Sequence, residues 1–254
     1  MDVLTQCNQK GFPIPDRLLN SLDWEKVDRF ASFLEEKNEP GGFFSQNDAA
    51  RILERHIYEN LIFVDYVSSR LKVSRETKLA DAGSGPGLPG YLFHCLKDPP
   101  AVTLIDSSKR RLSFLEAWAN DSRAAIESSN EPGKVNANTA RLNFRYERLE
   151  EMKASYDIIT IRALIPFPFC IEIVAALQPV GGHLFLATTE PPPKFKGLQA
   201  FGYVSRETYV PSELTFLGAR SILHLEKIAK QDSRYPRSWK IIQQEMQKWK
   251  ESTR

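Results

Sequence analysis

The stretch Leu79-Ala80-Asp81-Ala82-Gly83-Ser84-Gly85-Pro86-Gly87-Leu88-Pro89-Gly90 is the part of this 254-residue chain best suited to holding a ligand. It follows a short strand-like run and opens a helical pattern. Glycines at alternate positions let the backbone approach a ligand closely and take φ values that a β-carbon forbids. The carboxyl end of a first parallel strand is also where open α/β sheets bind their ligands. Two ligand classes compete for the turn. Gly85 to Gly90 fits G-x-G-x-x-G, the dinucleotide fingerprint of nicotinamide-dependent oxidoreductases. Against it, Pro89 in the first helical turn removes an amide that would face pyrophosphate, and Asp81 would repel phosphate. A sulfonium-bearing amino-acid cofactor is cationic and lacks phosphate, so Asp81, Gly83, Gly85 and Gly87 suit it better.

A second acid, Asp106, ends Leu104-Ile105-Asp106 about two dozen residues beyond Asp81, where a carboxylate accepts both ribose hydroxyls of a nucleoside or caps the next helix. Lys109, Arg110 and Arg111 follow, either as a solvated helix face or as phosphate contacts. Arg162 closes an apolar run, as an ion-pair partner or as part of a site. No H-E-x-x-H, paired C-x-x-C, G-x-S-x-G or G-x-x-x-x-G-K-[ST] motif occurs. Cys7, Cys95 and Cys170 have no metal-ligand spacing and read as free thiols in a reducing compartment, and no metal is expected.

The elements that must position these residues follow from periodicity. Apolar positions predict helices over 16–37 and 47–70. Beyond residue 72 strands and helices alternate: strands at 78–82, 101–105, 142–146, 156–161 and 183–187, helices to about 97, over 107–126 and over 167–177. A polar loop is predicted over 127–138. The strand runs 201–210 and 220–228 have no long helix between them and predict an antiparallel edge. A C-terminal helix is predicted over 237–250. The alternation implies a mostly parallel, doubly wound α/β sheet. Residues 1–71 then form a helical cap, 72–230 the core and 231–254 a basic tail.

Net charge is +2, but from Lys227 onward eight basic residues face three acidic ones, which suits a polyanionic partner. The apolar run 158–170 is broken by Arg162, Pro166 and Pro168 and cannot span a bilayer. No secretory leader is visible after Met1. A cytoplasmic monomer is expected.

Together these stretches resemble the GidB/RsmG family, bacterial methyltransferases acting on guanine N7 of small-subunit ribosomal RNA. The resemblance rests on Arg55-His56-Ile57, Asp81 to Gly90, Thr103-Leu104-Ile105-Asp106-Ser107 with Lys109-Arg110 and Phe114-Leu115, Glu147-Arg148-Leu149-Glu150-Glu151, Ile161-Arg162-Ala163 and Arg234-Tyr235-Pro236-Arg237. It implies a Rossmann-like class I methyltransferase fold with a seven-stranded sheet, and S-adenosyl-L-methionine as cofactor. Gly83 and Leu88 would contact the cofactor, Asp106 its ribose, and Leu149 and Glu150 its adenine. Arg162 would sit between cofactor and target base, with Arg55 and His56 facing the same pocket. The implied partner is small-subunit ribosomal RNA, free or in the assembling subunit. The chain departs from the family at Gly42-Phe43-Phe44, where Asn-Leu-Thr is usual, and at Tyr58-Glu59-Asn60, where Asp-Ser is usual. It departs again at Ala187-Thr188-Thr189-Glu190, where Lys-Gly is usual. The last change is expected to remove positive charge from the substrate side of the cleft. A cofactor-binding RNA-interaction protein without turnover is therefore a second reading.

Overall fold

A computed structural model describes residues 2–128, 141–189 and 195–252. Seven strands form one sheet in the order β3-β2-β1-β4-β5-β7-β6. They are β1 (Lys78–Ala82), β2 (Ala101–Ile105), β3 (Leu142–Arg145), β4 (Ile158–Arg162), β5 (His183–Thr188), β6 (Tyr203–Tyr209) and β7 (Ser221–Lys227). The first five pair in parallel, β7 lies antiparallel to β5, and β6 lies antiparallel to β7. Central strands covered on both faces are mostly apolar. That is why β1, β2 and β4 read as near-continuous apolar runs, interrupted by the buried Asp81, Thr103 and Thr160, whereas the edge strand β3 alternates half-buried and exposed residues.

Alternate strand residues feed two apolar cores, one on each face. Leu79, Leu104 and Phe185 point into a core shared with α1 (Val3–Lys10), α3 (Trp24–Gly41) and α5 (Glu59–Arg70). Ala80, Ile105, Ile159 and Leu184 point into the other, with α8 (Phe169–Val174) and Ile242 of α9 (Trp239–Ser252). The N-terminal helices thus bury their apolar stripe directly on the sheet. No helix among the described residues is long and apolar enough to cross a membrane.

Several boundaries differ from the sequence expectation. The helix expected over 16–37 is two, α2 (Asp16–Ser21) and α3, because Leu22 leaves the helix to bridge Leu96 and Asp23 caps α3 through the Lys26 amide at 3.2 Å. The helix expected over 47–70 is three pieces: α4 (Gln46–Ala49), a π-helical segment Leu53–Tyr58, and α5. After the glycine turn α6 covers only Gly90–His94, and α7 runs Lys109–Ser128. The loop expected over 127–138 lies almost wholly outside the described residues.

The basic tail is less available than its composition implies. Lys227 is buried and donates to the carbonyls of Ala175 at 2.8 Å and Phe201 at 2.6 Å. Arg234 pairs with Asp232, and Arg237 with Glu172 and Glu245.

Candidate active site

Five parallel strands deliver their carboxyl ends to one edge of the sheet. The glycine turn leaves β1 there, pinned by its own backbone: the amides of Gly83 and Ser84 donate to the Ile105 carbonyl at 2.8 and 3.0 Å. Gly83 (φ +76°) and Gly87 (φ +105°) lie in the left-handed region, and a Cβ on either would stand 2.4 Å from a methyl of Leu164 or Leu115. Both conformation and space therefore require glycine. The Gly85 amide donates to Asp106 Oδ2 at 2.8 Å, and the Ser108 amide to Asp106 Oδ1 at 2.7 Å. Asp106 thus fastens two segments at once. Each of its oxygens retains a further acceptor position, since a carboxylate has about four. It faces a narrow slot shared with Gly83, Leu149, Glu150, Leu164, Ile165 and Trp239.

Asp81 lies elsewhere than its reading as a ligand contact requires. It is fully buried, accepting from the Gly90 amide and the Thr160 hydroxyl, each at 2.9 Å, and burial pushes its carboxyl up to about 7. It lines neither the slot nor the cleft beside it. Its position bears on the competing ligand: the α6 amide that a pyrophosphate would need is already taken by a carboxyl group of the protein.

Across the turn from the slot opens a cleft of about 690 Å³, walled by Phe44, Arg55, His56, Gly83, Gly85, Leu88, Arg111, Arg162, Thr188 and Arg220 among others. The sequence-predicted residues Gly83, Gly85, Leu88, Arg55, His56 and Arg162 are thus brought together, while Asp106, Leu149 and Glu150 meet in the adjoining slot. The π-helical segment carries Arg55 and His56. A π turn is wider than an α turn and is often found at functional sites. Arg162 Nη2 donates to the Arg55 carbonyl at 2.8 Å and to Glu59 Oε2 at 3.3 Å. Glu59 Oε1 accepts from Arg220 Nε at 2.7 Å, and Arg55 pairs with Asp48. Four arginines face two carboxylates on the cleft wall, leaving it cationic. Of the basic triplet, Arg111 reaches this wall, while Arg110 donates to the Pro40 carbonyl at 3.0 Å and ties α7 to α3.

His56 is 7% exposed and stacks on Phe44, ring centroids 3.6 Å apart. Among the described residues neither ring nitrogen has a hydrogen-bond partner. Burial, with help from the Arg162 guanidinium, drives its pKa down to about 3, so the imidazole is neutral. A buried polar group without a partner is uncommon in proteins, and here both nitrogens are covered although the residue lines the cleft.

Sequence reasoning missed Arg220. It looked for charge after β5, where Ala187-Thr188-Thr189 stand, Glu190 lying outside the described residues. Because β7 runs antiparallel to β5, Ser221 pairs with Thr188 and the preceding Arg220 enters the cleft from the other strand. Arg220 thus brings a guanidinium to this wall, where it pairs with Glu59. The usable signal was the antiparallel edge itself, which places the start of β7 at the carboxyl edge.

The cradle of glycines, the acceptor at the end of β2 and the narrow apolar slot beside it fit a nucleoside bearing a charged amino-acid tail. A sheet of this order with that cradle defines the class I S-adenosylmethionine-dependent methyltransferases. Among solved structures the fold is similar to magnesium protoporphyrin IX methyltransferase from Synechocystis PCC 6803, with a TM-score of 0.52, 17% identity, and coverage of 82% of this chain and 99% of that one. The profile of the family described as rRNA small subunit methyltransferase G matches residues 23–192. Relatives named ribosomal RNA small subunit methyltransferase G include one from Leptospira biflexa serovar Patoc, 40% identical over 92% of this chain and 91% of its own length. Another, from Leptospira interrogans serovar copenhageni, is 37% identical over 96% and 92%. The chain belongs to the family of rRNA small subunit methyltransferase G.

Proposed function

We propose that this protein transfers the methyl group of S-adenosylmethionine to N7 of a guanine in small-subunit ribosomal RNA, acting as a cytoplasmic monomer. The observation that carries the reading is that the slot holding Asp106 and the cationic cleft holding Arg162 meet at Gly83, which borders both. One cavity suits a nucleoside and the other a polyanion, and a group passed between them crosses only the turn.

Asp106 binds the ribose hydroxyls, Leu149 and Glu150 border the adenine, and Gly83, Gly85 and Leu88 lie along the amino-acid tail; Asp81 holds the turn from behind, and Gly87, which lines neither cavity and packs against Leu115 and Tyr91, lets it turn. When bound, the cofactor supplies a methyl group activated by its sulfonium. Guanine N7 carries a lone pair and no proton at neutral pH, so no side chain has to act as a base. Arg162 meets that requirement: a guanidinium stays protonated and serves to place the base or its phosphate. Its bond to the Arg55 carbonyl and its pair with Glu59 fix it for that task. His56, neutral, donates a hydrogen bond to a base edge once its ring, whose nitrogens are covered here, turns from Phe44 toward the cleft. The protein's contribution is alignment and exclusion of water. The target base must leave its stack to enter the cleft, which favours a loop over a duplex.

The reading without turnover was motivated by the missing Lys-Gly; Arg220 supplies a cation on the same wall, and methyl transfer itself decides between the two readings. The test is nucleotide-resolution mapping of N7 methylation on small-subunit RNA from a deletion strain and its parent. One guanine should lose its methyl group in the deletion and regain it on complementation. An unchanged pattern would rule the reading out.

A further inference from the structure

The slot beside Asp106 is closed on one side by Trp239, the first residue of α9, which lies beyond the family match ending at residue 192. This indole is held firmly. The Arg237 amide donates to Glu172 Oε1 at 2.9 Å and the Arg237 guanidinium pairs with the same carboxylate, whose side chain is only 1% exposed. One turn on, Ile242 is completely buried in the sheet-face core. Over the indole, the Arg148 guanidinium carbon lies 5.4 Å from the ring centroid, and Arg148 immediately precedes Leu149, which also lines the slot. Two elements far apart in sequence thus bring an indole, with the Arg148 guanidinium over one of its faces, and the aliphatic side chain of Leu149 to the same cavity as Asp106.

We propose that Trp239 belongs to the adenine subsite, so that the C-terminal helix α9 is a component of the cofactor site rather than an appended tail. The inference rests on the cofactor reading given above. A purine has an extended π face, and an indole across a narrow slot stacks on it without needing hydrogen bonds. Asp106 selects the ribose, while Trp239 supplies sequence-independent affinity for the flat ring. Because Arg237 and Glu172 fix the start of α9, loss of that pair should loosen the subsite although neither residue lines it.

S-adenosylhomocysteine is the probe, read by calorimetry and by tryptophan fluorescence on the full chain. In the wild type, binding should change the fluorescence with the same dissociation constant as calorimetry gives. W239F should lose most of that change and keep affinity within about threefold. W239A should weaken binding about tenfold, the scale of one lost base–aromatic stack. W249F, on the exposed part of the same helix, should behave as wild type. A fluorescence change that persists in W239F, or wild-type affinity in W239A, would overturn the proposal. Should W239A fail to fold by circular dichroism, the W239F signal decides alone. A wild type that does not bind the probe would instead strike down the cofactor reading, and this proposal with it.

Discussion

Arg162 and His56 share one wall of the cleft and are predicted to behave differently. Arg162→Ala removes the cation that places the substrate and should lower the single-turnover rate on the order of 100-fold, the scale of a misplaced reactant. His56→Gln keeps a donor and should lower it only a few-fold. His56 is held down to about 3 and so does not titrate in the working range, and the chemical step should be flat from about pH 6.5 to 9. A steep rise with pH that His56→Gln abolishes would show that a base is needed and would count against N7 as acceptor. Asp106→Ala should weaken S-adenosylhomocysteine binding in calorimetry, since it deletes the proposed ribose acceptor and frees the Gly85 amide at one stroke. Asp106 was legible because its type and its place at a strand end coincide. Asp81 was legible as important but misread in direction: it lies inside β1, paired alongside Leu104 and Thr160, and so faces its neighbours rather than the ligand edge.

At the scale of elements, the glycine turn is held from behind by a carboxyl group it never exposes. Asp81→Ala orphans the Gly90 amide and the Thr160 hydroxyl and should cost roughly 1–3 kcal/mol in urea denaturation, with weaker cofactor binding as a consequence. Thr160→Val removes one of those bonds and should cost less, about 1 kcal/mol. The strands were legible to within two residues at each end, because burial on both faces writes the central ones as near-continuous apolar runs and the edge strand β3 alternates. The helices near the site were not. Periodicity cannot distinguish one α-helix over 47–70 from three pieces with a π turn between them, since the same residues remain buried. Yet that turn is what carries Arg55 and His56 at the cleft.

The whole molecule should lose stability in acid through its histidines. Burial lowers His94 and His224 to about 4 and His56 to about 3, and it lowers His183 as well. Each is neutral in the fold, while the unfolded chain takes up a proton below the ordinary value of about 6.5. Their contribution is therefore complete above pH 6.5 and is lost as pH falls toward 4 and below. For His94 alone the loss is on the order of 3 kcal/mol, and His94→Phe should shallow the acid limb of the stability profile. Asp81 works in the opposite sense. Its raised pKa makes its contribution complete below the usual carboxylate range and lost as pH rises through about 7. Since Asp81 does not line the cleft, that titration should appear in stability and not in the rate of the chemical step. The antiparallel edge read from the sequence was enough to bring Arg220 to the carboxyl edge, whereas the arrival of Trp239 was not legible, because it depends on contacts between distant segments that no local pattern encodes. The central claim, that one sheet edge holds both the methyl donor and a guanine of the small-subunit RNA, is tested most directly by single-turnover transfer. Purified protein, methyl-labelled cofactor and small-subunit RNA from the deletion strain are mixed, and the product base is identified. The account predicts label on N7 of a single guanine, lost in Arg162→Ala. Label on any other atom, or none despite tight binding of S-adenosylhomocysteine, would contradict it.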